Sequence, residues 1–145
     1  MNPVAFEPHR MALRVYYEDT DAAGMVYHAN YLRFAERARS EMLRGLGFSQ
    51  RRLREERRIG FAVRRCTIDY RGPARLDDRL TVETRIGEVG AATIAVGQEI
   101  RRDGEVLVAL DVLVACIGAD GRPRRLPAEL RSALGCRGST TPSSK

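Results

Sequence analysis

The sequence predicts an α+β fold in which one long helix is wrapped by a curved antiparallel sheet of about five strands. Apolar residues recur at spacings of three and four only between Asn30 and Leu46. From Gly60 to Ile117 the apolar period is two instead. Short Gly- and Asp-containing breaks separate the alternating runs, as hairpins require and crossover helices do not. A helix stripe packed on the concave face of such a sheet buries both at once.

Each element follows from its own residues. Residues 1–10 read as a loose leader. Leu13, Val15 and Tyr17 alternate with Arg14 and Tyr16, which predicts a first strand. EDTDAAG (18–24) reads as a loop. A helix begins near Asn30, with Tyr31, Phe34, Ala35, Ala38, Met42 and Leu46 on its apolar stripe. Asn30 is the expected N-cap, and Gly45 and Gly47 supply the stop. SQRRLREERR (49–58) forms a short helix or loop. Residues 61–71 form a strand, followed by the turn GPARLDD (72–78). Leu80 to Ile86 and Thr93 to Ile100 alternate as two more strands, joined by a turn at 87–90. After a turn at Asp103-Gly104, residues 106–117 are almost all apolar, which predicts a strand covered on both faces. A short helix is expected at 127–134. The organisation is one domain over 1–135 and a disordered tail, CRGSTTPSSK, over 136–145.

Composition narrows the function. The chain has 145 residues, and 25 basic against 19 acidic side chains give a net charge of +6. Lys145 is the only lysine, so the excess is arginine. Guanidinium forks match phosphate oxygens, which suits an anionic partner. Nucleic acid is an unfavoured partner, because aromatics are 6% and no DNA- or RNA-binding motif occurs. Cys66, Cys116 and Cys136 are not in C-x-x-C spacing, and His9 and His28 are the only histidines, so no metal site is expected. Reduced thiols and the lack of an apolar leader segment predict a cytoplasmic protein. No membrane insertion is expected, since the longest apolar run is broken by Asp111 and too short to span a bilayer. A chain this small has little room for a deep pocket, so a site between subunits and a homo-oligomer, a dimer or tetramer, are expected.

The chemistry concentrates in VYYEDTDAAGMVYHANYLRFAERARSEML (15–43). This run resembles the 4-hydroxybenzoyl-CoA thioesterase family of hotdog proteins, and within it the bacterial group associated with the Tol-Pal system. The matching segments are 15–31, 36–43 and, further on, FAVRRCTIDYRGPARLDD (61–78). The resemblance implies a hotdog fold, a tetramer built from dimers, and acyl-CoA thioester hydrolysis without a cofactor. Acyl carrier protein is implied as a second possible thioester carrier. It carries the catalytic carboxylate onto Asp21, with His28 and Tyr17 beside it and the main-chain N–H at position 28 as donor to the thioester carbonyl.

That assignment suits the chemistry. Thioester hydrolysis needs a nucleophile or a base for water, and donors aimed at the oxygen that gains charge. A helix N-terminus offers unpaired N–H groups and a positive dipole end. Asp21 can attack directly or activate water, and the sequence leaves both open. Its bland alternative is a turn aspartate; Asp19 divides between turn stabiliser and catalyst. His28 can polarise the carbonyl, orient Asp21 or protonate the leaving thiolate. Gly24 serves backbone geometry near substrate. Tyr31 lies at the helix start, where it either meets substrate or packs in the core. Glu36 is either solvated surface or a second carboxylate. Arg64, Arg65 and Arg71 are the leading partners for coenzyme A phosphates, with Arg75, Arg101 and Arg102 also near the expected mouth. Hydroxyacyl-thioester dehydration on the same fold and a non-enzymatic acyl-CoA-binding module are the competing readings.

Overall fold

A computed structural model describes residues 7–137. Its elements are β1 (His9–Arg14), a 3-10 turn (Tyr17–Asp19), α1 (Asn30–Gly45), α2 (Gln50–Arg57), β2 (Ile59–Tyr70), β3 (Arg79–Val89), β4 (Thr93–Arg102), β5 (Glu105–Gly118) and α3 (Ala128–Arg137). The strands form one five-stranded sheet in the order β1-β3-β4-β5-β2, antiparallel at every pairing.

The stripe of α1 decides how the helix sits. Tyr31, Phe34, Ala35, Ala38, Met42 and Leu43 are buried against the sheet. They meet the inward residues of the strands, among them Leu80, Val82, Val96, Ile100, Val108 and Leu110. Phe34 is 1% exposed, and burying a side chain of that size contributes about 1.5–3 kcal/mol. The helix ends where its stop signal predicts. Gly47 takes φ +94°, the Phe48 N–H reaches Leu43 O at 3.0 Å, and the Gly47 N–H reaches Arg44 O at 3.0 Å. Those two bonds satisfy carbonyls left over at the helix end. Ser49 then caps α2, accepting from Arg52 N–H at 3.3 Å. Leu130 and Leu134 of α3 are fully buried and close the core.

One polar network crosses this apolar interior. Gln98 on β4 is 2% exposed. Its amide donates to Ala35 O at 2.9 Å and to Thr84 Oγ1 at 3.0 Å, while Arg39 Nη1 donates to its carbonyl at 3.0 Å. The network ties the second turn of α1 to β3 and β4.

Several boundaries differ from the sequence reading. His9 and Arg10 belong to β1 rather than to a leader. The strand ends at Arg14, and Tyr17 opens the 3-10 turn, because Asp19 Oδ2 accepts from the Tyr16 N–H at 2.8 Å and turns the chain. Asn30 is not the cap. Ala29 holds that position, and the Asn30 amide donates to Asp19 Oδ1 at 2.7 Å instead. Gly87 lies inside β3, whose register shifts between Ile86 and Val89, so the hairpin turns at 90–92. β5 is not covered on both faces by this chain: its inward residues are buried, but Ala109, Leu113 and Ala115 are half-buried and Asp111 is exposed. Cys136 and Arg137, expected in the tail, close α3, and 138–145 lie outside the described residues.

β2 is an edge strand of 12 residues that, among the described residues, pairs only with β5. Its residues 62–67 are all exposed, and a register shift between Val63 and Arg65 interrupts it. No helix among the described residues is long and apolar enough to cross a membrane.

Candidate active site

Residues 15–30, between β1 and α1, fold into a tight loop held by its own aspartates. Asp19 accepts from Tyr16 N–H and the Asn30 amide, and its carbonyl accepts from Tyr27 N–H at 2.9 Å. It therefore fastens the loop to the first residue of α1. Asp21 builds the next turn. Its Oδ1 accepts from Ala23 N–H at 2.8 Å and Met25 N–H at 3.2 Å. The Asp21 and Met25 main chains bond at 2.8 Å, and Gly24 N–H reaches Asp21 O at 3.1 Å. Gly24 sits at φ +82°, a conformation that disfavours any side chain. The other carboxylate oxygen of Asp21, Oδ2, has no partner among the described residues, and the side chain is exposed.

The 72–78 segment supports that loop from behind. Val26 N–H donates to Ala74 O at 2.9 Å, Leu76 N–H donates to Gly24 O at 3.0 Å, and Met25 bridges Arg75. Asp78 stabilises this segment by accepting from Arg75 N–H and Arg102 Nη1, both at 2.8 Å. Burial pushes the Asp78 carboxyl upward, but those two donors outweigh it and hold the group below its ordinary range.

His28 stands at the entry to α1. Its ring is exposed and lies 4.6 Å from that of Tyr27 and 6.3 Å from that of Tyr70, the latter nearly edge-on at 81°. Tyr70 also donates its hydroxyl to His28 O at 3.0 Å. Among the described residues, no acceptor takes the main-chain N–H of His28 or of Ala29. Both sit where the helix dipole is positive.

The loop thus brings Asp21, Gly24, His28 and Tyr17 into one segment ending at the start of α1. Tyr17 is 82% exposed, and its side chain makes no hydrogen bond or ring contact among the described residues. Tyr31 is 3% exposed. Its hydroxyl accepts from Ala74 N–H at 3.0 Å, burial pushes its pKa up, and its ring meets Phe34 and Tyr70. It is part of the packing beneath the site. The arginines are scattered. Arg64 and Arg65 lie at the β2 register shift, and Arg65 lines a shallow depression on the outer face of the sheet with Thr67, Arg85 and Asp111. Arg71 follows Tyr70 and pairs with Asp69 at 2.8 Å. Arg101 and Arg102 are tied to acidic neighbours. Arg75 is bridged through its main chain to the candidate loop, and its guanidinium has no ion pair among the described residues.

Tyr70 is the residue that sequence reasoning missed. Strand alternation puts it on the same face as Ile68 and Cys66, toward α1, but nothing in its neighbours points to His28 from 42 positions away.

The profile of the thioesterase-like superfamily matches residues 15–134. The chain belongs to that superfamily. Its five-stranded sheet around α1 is the hotdog fold expected from the sequence. The chain is 48% identical over 123 residues to the acyl-CoA thioesterase YbgC of Haemophilus influenzae, covering 84% of this chain and 90% of that protein. It is 46% identical over 129 residues to the acyl-CoA thioester hydrolase YbgC of Escherichia coli, covering 88% and 93%. Among solved structures it resembles a probable thioesterase from Bartonella henselae, with TM-score 0.80, 42% identity and coverage of 83% and 99%. A Staphylococcus aureus protein in complex with CoA shares the fold, with TM-score 0.85 at 15% identity over 100% of this chain and 94% of that one.

Proposed function

We propose that this acyl-CoA thioesterase hydrolyses short- and medium-chain acyl-CoA, aromatic acyl groups included, with Asp21 as its catalytic carboxylate. One observation carries the reading. Asp21 has one oxygen fixed by two main-chain N–H groups and the other open, on the loop that delivers the unpartnered N–H groups of His28 and Ala29. A carboxylate held in one orientation meets the geometric need of a nucleophile or base. Free N–H groups at a helix start meet the need of the oxygen that gains charge.

In the proposed reaction the thioester carbonyl oxygen docks on those N–H groups. Asp21 Oδ2 then either attacks the carbonyl carbon, giving an acyl-aspartyl anhydride that water opens, or takes a proton from the attacking water. The carbon–sulfur bond breaks, and His28 protonates the departing thiolate, with Tyr17 ordering the nearby solvent. The products are the free acid and CoA. Gly24 lets the main chain approach the acyl group. Arg75 and Arg71 are the best-sited partners for CoA phosphates, being adjacent to the loop and to Tyr70. Arg64 and Arg65, on an edge strand, serve a phosphate only across a subunit boundary.

Asp21 is exposed in the single chain, so the reading needs a second surface to exclude water. The unpaired β2 edge supplies a route. A second copy pairing there extends the sheet and covers the α1 entry, which fits a cytoplasmic dimer or a tetramer of dimers. Acyl carrier protein as an alternative carrier and association with the Tol-Pal system extend the same reading.

The test is Asp21→Asn with an acyl-CoA panel, following thiol release. Turnover should fall by at least about 10³-fold while binding of a non-hydrolysable CoA thioether persists. Unchanged turnover would remove Asp21 from the mechanism and favour a binding module. A single turnover in H₂¹⁸O that leaves label in Asp21 establishes the anhydride route, since only anhydride opening at the aspartyl carbon places it there.

A further inference from the structure

We infer that Asp19 is a positioning residue for the hydrolysis: it fixes the reach between the Asp21 carboxylate and the N–H pair at the start of α1. The inference rests on the proposed roles of Asp21 and of the His28 and Ala29 N–H groups. It adds a residue that touches none of the reacting atoms.

Residues 19–27 form a small antiparallel hairpin. Tyr27 N–H donates to Asp19 O at 2.9 Å, Thr20 bridges Val26, and Asp21 N–H donates to Met25 O at 2.8 Å. This hairpin carries Asp21 but stops short of the helix. Its second arm ends at Tyr27, and α1 begins at Asn30. His28 and Ala29, whose N–H groups meet no acceptor among the described residues, lie in the gap.

Asp19 grips that gap from both sides. Its carbonyl holds Tyr27, and its Oδ1 accepts from the Asn30 amide at 2.7 Å. Asn30 N–H also donates to Tyr27 O at 2.7 Å, so residues 27–30 form one turn tied to Asp19 at each end. The donor pair sits at its centre. The second carboxylate oxygen, Oδ2, accepts from Tyr16 N–H at 2.8 Å and fastens the same side chain to the segment leaving β1. Asp21 is two residues from Asp19 on the hairpin arm. Any shift of the α1 start against Asp19 therefore changes the reach from Asp21 to the donors.

The contact distinguishes this role from two others. Both oxygens of Asp19 are engaged and the residue is half-buried, whereas Asp21 is exposed with Oδ2 open, so Asp19 is not a second nucleophile or base. A plain turn aspartate takes nearby main-chain donors; here one donor is a side chain 11 positions on. Both donors are neutral, and Asp19 has no ion pair among the described residues. An ionised carboxylate only accepts, so it serves both. An asparagine there serves one and sets its own amide against the other.

The experiment follows kcat, KM, melting temperature and ¹H–¹⁵N spectra in Asp19→Asn, in Asn30→Asp and in the two combined. The combination reverses the contact: position 19 donates, position 30 accepts, and Tyr16 N–H keeps an oxygen. Asp19→Asn should lower kcat at least about tenfold, toward the roughly 10²-fold that a misplacement of about 1 Å costs, with KM within about threefold. The His28 and Ala29 amide resonances should move while those of β4 and β5 stay. Asn30→Asp sets two carboxylates together and should lower kcat likewise. The combination should recover most of the lost kcat and return both resonances toward wild type. A catalytic Asp19 would gain nothing from it, because the carboxylate then stands at position 30. A merely structural Asp19 would lower the melting temperature and leave kcat of the folded protein intact. Asn30→Ala keeps the test open if Asp19→Asn fails to fold, and should show the same kcat loss at unchanged KM. A kcat within about twofold of wild type in Asp19→Asn or Asn30→Ala, or a combination no better than the worse single variant, overturns the proposal. Failure of the Asp21 assignment reads differently. It shows as wild-type turnover in Asp21→Asn, and the 28 and 29 amides then decide alone. If they move in Asp19→Asn and return in the combination, Asp19 still anchors the donor pair; if they do not move, the proposal falls.

Discussion

At the scale of single residues, the 28–29 peptide is the point on which the proposed chemistry turns. A peptide group is planar, so its carbonyl and the next N–H point in opposite directions. Tyr70 donates to His28 O, and this fixes where the Ala29 N–H is aimed. In Tyr70→Phe the ring contacts with His28 and Tyr31 survive while the peptide is freed. We expect kcat for acyl-CoA to fall about tenfold or more, short of the about 10²–10³ lost when such a donor is deleted outright. KM should stay within about twofold and the melting temperature should change little. A fall in KM-dependent terms alone would make Tyr70 a binding residue instead. Gly24 offers a second residue-scale test. A Cβ there meets nothing within 4 Å, so Gly24→Ala costs only the left-handed conformation, about 1–2 kcal/mol. Activity should drop further than stability does, because Gly24 shares its turn with Asp21. Neither residue advertises its role equally. Gly24 stands in a motif that reads as a loop, whereas Tyr70 sits at the end of a strand whose composition gives no reason to single it out.

At the scale of elements, what was legible follows from how local the cause is. The α1 stripe depends on spacing along one helix, and its buried residues match the sequence pattern nearly one for one. The Gly47 stop is likewise local. Asn30 suits a cap by residue type, yet the helix already begins at it, with Ala29 at the cap position, and its amide donates to Asp19, brought close by the 3-10 turn. The alternation that suggests strand at Tyr17 persists past the point where Asp19 bends the chain. The 72–78 segment was legible only as a turn; its service as the back wall of the loop is tertiary. Asp78 makes that service pH-dependent. Its folded-state pKa is depressed, so its contribution is full above the ordinary carboxylate range near 4 and is lost as pH falls through the folded value. The melting temperature of Asp78→Asn should therefore lie below wild type at pH 7, with the gap closing below about pH 4. A gap that stays constant across that range would show that the Arg102 ion pair adds nothing.

At the scale of the whole molecule, one chain leaves two surfaces unfinished, and they differ in kind. The outer face of the sheet is charged, with Arg85, Glu99 and Asp111 on it, and water satisfies it. The β2 edge is different. It runs 12 residues, carries Val63 at 50% exposure and Tyr70 at 44%, and among the described residues leaves main-chain groups unpaired along a strand that flanks the candidate site. Exposed edges of that length invite pairing unless something blunts them. Here a register shift bends the strand once, and the exposed residues 62–67 include two arginines but no proline. Pairing with a second copy resolves the edge and the openness of Asp21 together, so assembly and activity should fail together. Val63→Asp places a charge on the edge without touching Asp21, His28 or Tyr70. In sedimentation it should shift the protein toward monomer, and turnover should fall by at least about tenfold at concentrations where wild type is assembled. Raising the concentration of the variant should restore part of both. A wild-type chain that sediments as a monomer at micromolar concentration and still turns over acyl-CoA at full rate would show that water exclusion at Asp21 comes from within one chain, and the role given to β2 would be lost.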